Sequence, residues 1–179
     1  MDETVTGARV ELVVTVDVPG RRLWDLVSDV TRIGEWSPEC VFARRLDGGG
    51  ARPRPGTRFE GLNRYPDGQA AWVLCQVTEA VRPGVFAWAA LDERGDPRRP
   101  ASLWRYELAP AVVPGRTRVR HVFEHGPGNS GLREAARRDP ASLAGRLAEL
   151  RRNMAATLAA MAREDREDHT ANSLTEEER

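Results

Sequence analysis

Lysine is absent from the sequence: all 27 strongly basic residues of this 179-residue chain are arginine. Chemistry that needs a primary amine at a fixed place is thereby excluded, whether a Schiff base or a phosphate loop closed by lysine. An arginine-, alanine- and glycine-rich composition also reflects a GC-rich genome, so arginine number by itself carries little functional weight. Charge of one sign is missing too, because 27 acidic residues bring the formal net charge to +0. Such a balance does not favour nucleic acid as a partner. Cysteine is scarce. Cys40 and Cys75 are the two in the chain, with neither paired metal-ligand spacing nor the density of a disulfide scaffold, and are expected as buried thiols. No apolar run approaches the roughly 18 residues of a membrane helix. The opening MDETVTGARVELVV is acidic and polar rather than basic and then apolar. The expectation is a cytoplasmic protein without a membrane span.

What is present is periodicity. RVELVVTVDV, from Arg9, alternates Val10, Leu12, Val14 and Val16 on one face and predicts a first strand. Pro19 opens an amphipathic segment with Leu23, Trp24, Leu26 and Val27 at helical spacing, and VTRIGEW predicts a second short helical turn. Pro38 forces the chain out of helix toward a strand over Cys40 to Leu46, which the loop GGGARPRPG follows. Five further β-patterned runs, TRFEGLNRY, AAWVLCQVTEAV, VFAWAAL, SLWRYEL and TRVRHVFEH, are separated by Gly and Pro turn signals. After a loop and a short helix over LREAARR, Asp139-Pro140 starts a long helix. Its apolar stripe is Leu143, Leu147, Leu150, Met154, Leu158 and Met161. Residues 1–8 are expected to be flexible, 9–163 to form one domain, and 164–179 to be a frayed end and disordered charged tail.

Seven strands, two short helices after the first and one long closing helix predict an α+β fold, a curved antiparallel sheet gripping the last helix. At this point VELVVTVDVPGRRLWDLVSDVTRIGEWSPEC, PGTRFEGLNR, WVLCQV, FAW, WRYEL and TRVRHVF resemble, in that order, the START-like or SRPBCC superfamily. This is the helix-grip family of polyketide cyclases/dehydrases, lipid-transfer domains and plant-allergen-like proteins. The resemblance covers about Arg9 to Arg163, and WSPEC resembles an element of an actinobacterial-type branch. It implies an internal cavity between sheet and helix, and it implies fold more specifically than function.

Alternation along the strands supplies a provisional lining for that cavity: Phe59 and Asn63, Trp72 and Leu74, Phe86 and Trp88, Trp104 and Tyr106, then Val119, His121 and Phe123. Trp36 from the second helical turn, and Met154 and Leu158 from the long helix, complete the candidate ligand contacts. A one-residue slip would turn a whole strand's set to solvent. The same rings are equally suited to filling a core. His121, Tyr106 and Glu39 are the titratable candidates for proton transfer, His121 because an imidazole titrates near neutrality. Cys40 lacks a histidine partner to activate it. HVFEH superficially resembles a metal-binding helix motif. On a strand, however, His121 and His125 lie roughly 13 Å apart, so no metal site is expected, and nothing requires a cofactor.

The expected function is binding of a hydrophobic small molecule, a lipid, polyketide or similar aromatic or isoprenoid compound, by a monomer or weak homodimer. Two alternatives stay open: a polyketide aromatase/cyclase or dehydratase using the same cavity, and a protein-interaction module of chaperone-assisting type with a closed core.

Overall fold

The computed structural model describes residues 5–48 and 52–177, with side chains to residue 166. The elements run β1 (Arg9–Val16), α1 (Gly20–Ser28), a 3₁₀ helix (Val30–Glu35), β2 (Cys40–Arg45), β3 (Arg58–Arg64) and β4 (Ala70–Val81). They continue with β5 (Val85–Ala90), β6 (Ser102–Pro110), β7 (Thr117–His125), α2 (Gly131–Arg138) and α3 (Ala141–Glu177). All seven strands form one antiparallel sheet in the order β1-β7-β6-β5-β4-β3-β2. The α+β helix-grip architecture expected from the sequence is therefore the one observed.

Local chemistry explains how the chain enters the sheet. Pro19 holds the extended conformation before α1, whose apolar side buries Leu23, Trp24, Leu26 and Val27. The Trp24 indole N–H donates to the Val85 carbonyl at 3.0 Å and fixes α1 under the β4–β5 hairpin. Asp29 then caps the 3₁₀ helix by accepting from the Thr31 amide. At Gly34 a Cβ would stand 2.3 Å from the Val41 carbonyl oxygen, so only glycine lets this helix lie against the start of β2. Ser37 completes the corner, its hydroxyl accepting from the Cys40 amide at 2.9 Å.

One face of the sheet is apolar along its central strands and is crossed by α3, which buries Leu150, Met154, Leu158 and Met161. The opposite face of β1, β7, β6 and β4 carries a cross-strand ladder of Glu11, Arg120, Glu107, Arg105 and Glu79, which keeps that side in water. No helix among the described residues is long and apolar enough to cross a membrane.

Both ends differ from expectation where they are described. Val5 is fully buried, the Gly7 amide donates to the His125 carbonyl, and Arg133 donates to the Thr6 hydroxyl. Residues 5–8 are thus held by backbone and side-chain bonds; residues 1–4 lie outside the described residues. At the other end α3 continues through Glu164 instead of fraying. Glu164 accepts from the Trp36 indole at 2.6 Å and from Arg32 at 2.7 Å, and the buried Asp165 accepts from Arg22 at 3.2 Å. The side chains beyond 166 lie outside the described residues.

Candidate functional site

Register places two aromatic rows on the apolar face. Phe86, Tyr106, His121 and Leu12 are successive partners across β5, β6, β7 and β1. Val77, Trp88, Trp104, Phe123 and Val10 form the neighbouring row across β4 to β1. Within them Trp88 and Trp104 are parallel with centroids 5.8 Å apart, and Tyr106 stacks on His121 at 3.8 Å. Large rings at adjacent positions favour such offset contacts. Where the side chains shrink, at Gly61, Ala43, Val73, Cys75 and Ala90, a cavity of about 150 Å³ remains between the sheet, the 3₁₀ helix and α3.

Of the expected contacts, Phe59, Asn63, Phe86, Trp88, Trp104, Tyr106, His121 and Met154 line this cavity, as does Glu39. Phe123 and Leu158 are buried without lining it, Phe123 standing 4.9 Å from Trp104 as its backing. Trp36 is buried as well, but its indole is turned to Glu164 and covered by the Arg32 guanidinium. Trp72 corrects the expectation outright: it is 51% exposed on the opposite face. There it meets Phe42 edge-on at 6.0 Å and carries the Arg44 guanidinium. The pairing of Phe59 with Cys75 sends Val73, Cys75 and Val77 inward, and with them Trp72 and Leu74 outward. Hydrophobicity misleads here because the outer row Phe42, Leu62 and Trp72 near the sheet edge is itself apolar.

Lining residues without a sequence signal of their own come from the helices. Val30 and Ile33 belong to the 3₁₀ helix, while Asn153 and Thr157 flank Met154 on α3. Asn153 and Thr157, being polar, do not show up in the apolar stripe of α3. The Asn153 amide donates to Glu39 at 3.1 Å, and Arg146 donates to the same carboxylate. Glu39 therefore ties the cavity rim to α3.

His121 is the exceptional group. It is 3% exposed, and neither ring nitrogen has a hydrogen-bond partner. Burial without a partner pushes its pKa down to about 3, so the ring is neutral, with one donor and one acceptor nitrogen. Burial also raises the Tyr106 phenol, and it pushes the Cys40 thiol up to about 11. His125, by contrast, is satisfied by the Gly126 carbonyl at 2.8 Å and the Ser130 hydroxyl at 2.6 Å. A second, open groove of about 720 Å³ lies on the other side of Val30, Ala43 and Phe59, toward Trp24, Asp29 and Arg44. Val30, Ala43 and Phe59 line both.

The sequence profile described as polyketide cyclase / dehydrase and lipid transport matches residues 7–163. Among solved structures, a protein from Nitrosomonas europaea is similar at TM-score 0.61 and 16% identity, over 95% of this chain and 99% of its own. The Zhui aromatase/cyclase from Streptomyces sp. R1128 is similar at TM-score 0.64 and 17% identity, over 88% and 93% of the two chains. A polyketide-cyclase-like protein from Corynebacterium glutamicum is similar at TM-score 0.56 and 25% identity, over 88% and 91%. The first two likenesses carry the fold alone. No curated protein matches the sequence.

Proposed function

The chain belongs to the polyketide cyclase / dehydrase and lipid transport family, and we propose that it binds a hydrophobic small molecule in the cavity between the sheet and α3. The observation that carries this reading is the pairing of an aromatic lining with one buried imidazole whose hydrogen-bonding atoms are both unused. An apolar wall supplies affinity through burial, and a few convergent polar atoms supply orientation. Leaving a buried polar atom unpaired costs about 1–3 kcal/mol, a penalty that a bound molecule relieves.

The aromatase/cyclase or dehydratase alternative draws on the same cavity, which gathers Glu39, Asn63, Tyr106 and His121. Two features favour binding over turnover. The His121 and Tyr106 rings stack without a hydrogen bond to the imidazole, so no proton relay joins them. An imidazole with a pKa of about 3 is also a weak base at neutral pH. The interaction-module alternative calls for a closed core, and the open volume beneath α3 weighs against it.

Native mass spectrometry of protein purified from its own host tests the proposal. The expected result is a discrete small molecule retained under native conditions and released on denaturation. A clean apo spectrum, together with no thermal shift from fatty acids, quinones or aromatic polyketides, would overturn it.

A further inference from the structure

The cavity's size, charge and one unpaired side chain together restrict its occupant more narrowly than hydrophobicity does. Drug-sized ligands occupy pockets of about 300–1,000 Å³, whereas an engineered apolar cavity of about 150 Å³ admits benzene. At about 150 Å³ this cavity takes one or two fused rings within its walls, and the remainder of any longer molecule would project through its open side.

Charge narrows the choice again. The lining includes no arginine, and its one ionisable carboxylate, Glu39, is already held by Arg146 and Asn153 at the rim. A carboxylate-bearing ligand would find no cation inside and a like charge at the entrance. Burying an unpaired anion there is costly. His121 is part of the wall, and its two ring nitrogens are buried without partners. A hydroxyl suits it in either tautomer, since an O–H donates to the bare nitrogen and its oxygen accepts from the N–H. The parallel Trp88 and Trp104 rings beside it offer π faces to a flat partner.

We infer that the cavity selects an uncharged, phenol-type aromatic of one or two rings, seated among Trp88, Trp104 and Tyr106 with its hydroxyl on a ring nitrogen of His121. This rests on the cavity-binding proposal and names the ligand class for it.

The test is calorimetric titration at pH 7 with four probes: 2-naphthol, naphthalene, 2-naphthoate and palmitate. On the native protein 2-naphthol is expected to bind about tenfold more tightly than naphthalene, the equivalent of one net hydrogen bond. The two anions are expected to bind more weakly than either. In His121→Phe the advantage of 2-naphthol over naphthalene falls to about twofold or less, while naphthalene still binds. If that variant loses naphthalene as well, the comparison passes to His121→Leu, whose smaller side chain leaves the wall unobstructed. Equal affinity for 2-naphthol and naphthalene on the native protein, or an advantage that survives both variants, would overturn the inference. Binding of palmitate without 2-naphthol would also overturn it and leave the cavity-binding proposal standing. Failure of all four probes would overturn the inference, while the cavity-binding proposal is then decided by native mass spectrometry and the quinone and polyketide thermal shifts.

Discussion

The His121 imidazole lies against the Tyr106 phenol ring with centroids 3.8 Å apart and planes inclined by only 17°. Adjacent positions on β6 and β7 bring the two rings together. The stacking spends the imidazole's face on packing and leaves its two nitrogens, at the ring edge, without protein partners. A titratable side chain is thereby held neutral in an apolar wall.

That arrangement predicts a pH dependence of stability. The folded protein keeps His121 neutral down to about pH 3, whereas its ordinary value is 6.5. Between those values the unfolded chain binds the proton and the folded one does not, so stability falls as pH falls. For this single group the slope is at most about 1.4 kcal/mol per pH unit. His125 is also lowered by burial, so the native slope alone does not isolate His121. Urea unfolding at pH 7 and pH 4.5 should show a smaller loss for His121→Phe than for the native protein. Equal losses would contradict the burial of a neutral imidazole.

The Glu39 rim predicts a stability cost of a different kind. The Arg146 and Glu39 side chains are 21% and 14% exposed, and Asn153 shares the carboxylate. Arg146→Ala should cost about 1–3 kcal/mol, because Glu39 is left with part of its charge unpaired in a half-buried place. The double variant Glu39→Gln/Arg146→Met should lose less than Arg146→Ala alone. Chemical denaturation of the three proteins checks this order.

Thiol labelling reports on the cavity from a third direction. Cys40 is pushed up to about 11 and Cys75 is also raised, both chiefly by burial. Neither should react rapidly with a disulfide reagent at pH 8 in the folded protein, whereas both react in denaturant. Fast labelling of Cys40 without denaturant would show that the β2 corner opens.

Gly34→Ala addresses that same corner. Its new methyl group would overlap the Val41 carbonyl, a backbone atom that cannot swing aside. The expected loss is about 2 kcal/mol or more, read as a lowered unfolding midpoint. A variant as stable as the native protein would show that the corner is not tightly set.

Much of this was legible in the sequence, and the exceptions have physical causes. On β5, β6 and β7 the positions alternating with Phe86, Trp88, Trp104, Tyr106, His121 and Phe123 are mostly polar or small, with exceptions such as Leu103 and Val122, so alternation points to the inner face. On β4 both faces are apolar, so alternation does not single out the inner one, and the outer neighbours of Trp72, Phe42 and Leu62, are apolar too. Trp36 resembled a lining residue, but its distant partner Glu164 lies in a stretch read as a frayed tail. Asn153 carries no pattern of its own, since its importance comes from Glu39, 114 residues away. Long-range polar pairs of this kind leave no local trace, whereas strand alternation does.

Ligand binding beneath α3 is tested most sharply by an NMR titration of protein labelled at its methionine methyl groups and at its tryptophan indole nitrogens, with lipid, quinone and aromatic polyketide probes added in turn. Met154 lines the cavity, and Met161 is buried further along α3. The account predicts that at least one probe shifts the Met154 methyl resonance saturably and more than that of Met161, while the exposed Trp72 indole signal stays in place. If no probe moves Met154 in the folded protein, or if only Trp72 responds, ligand binding in the cavity beneath α3 is contradicted.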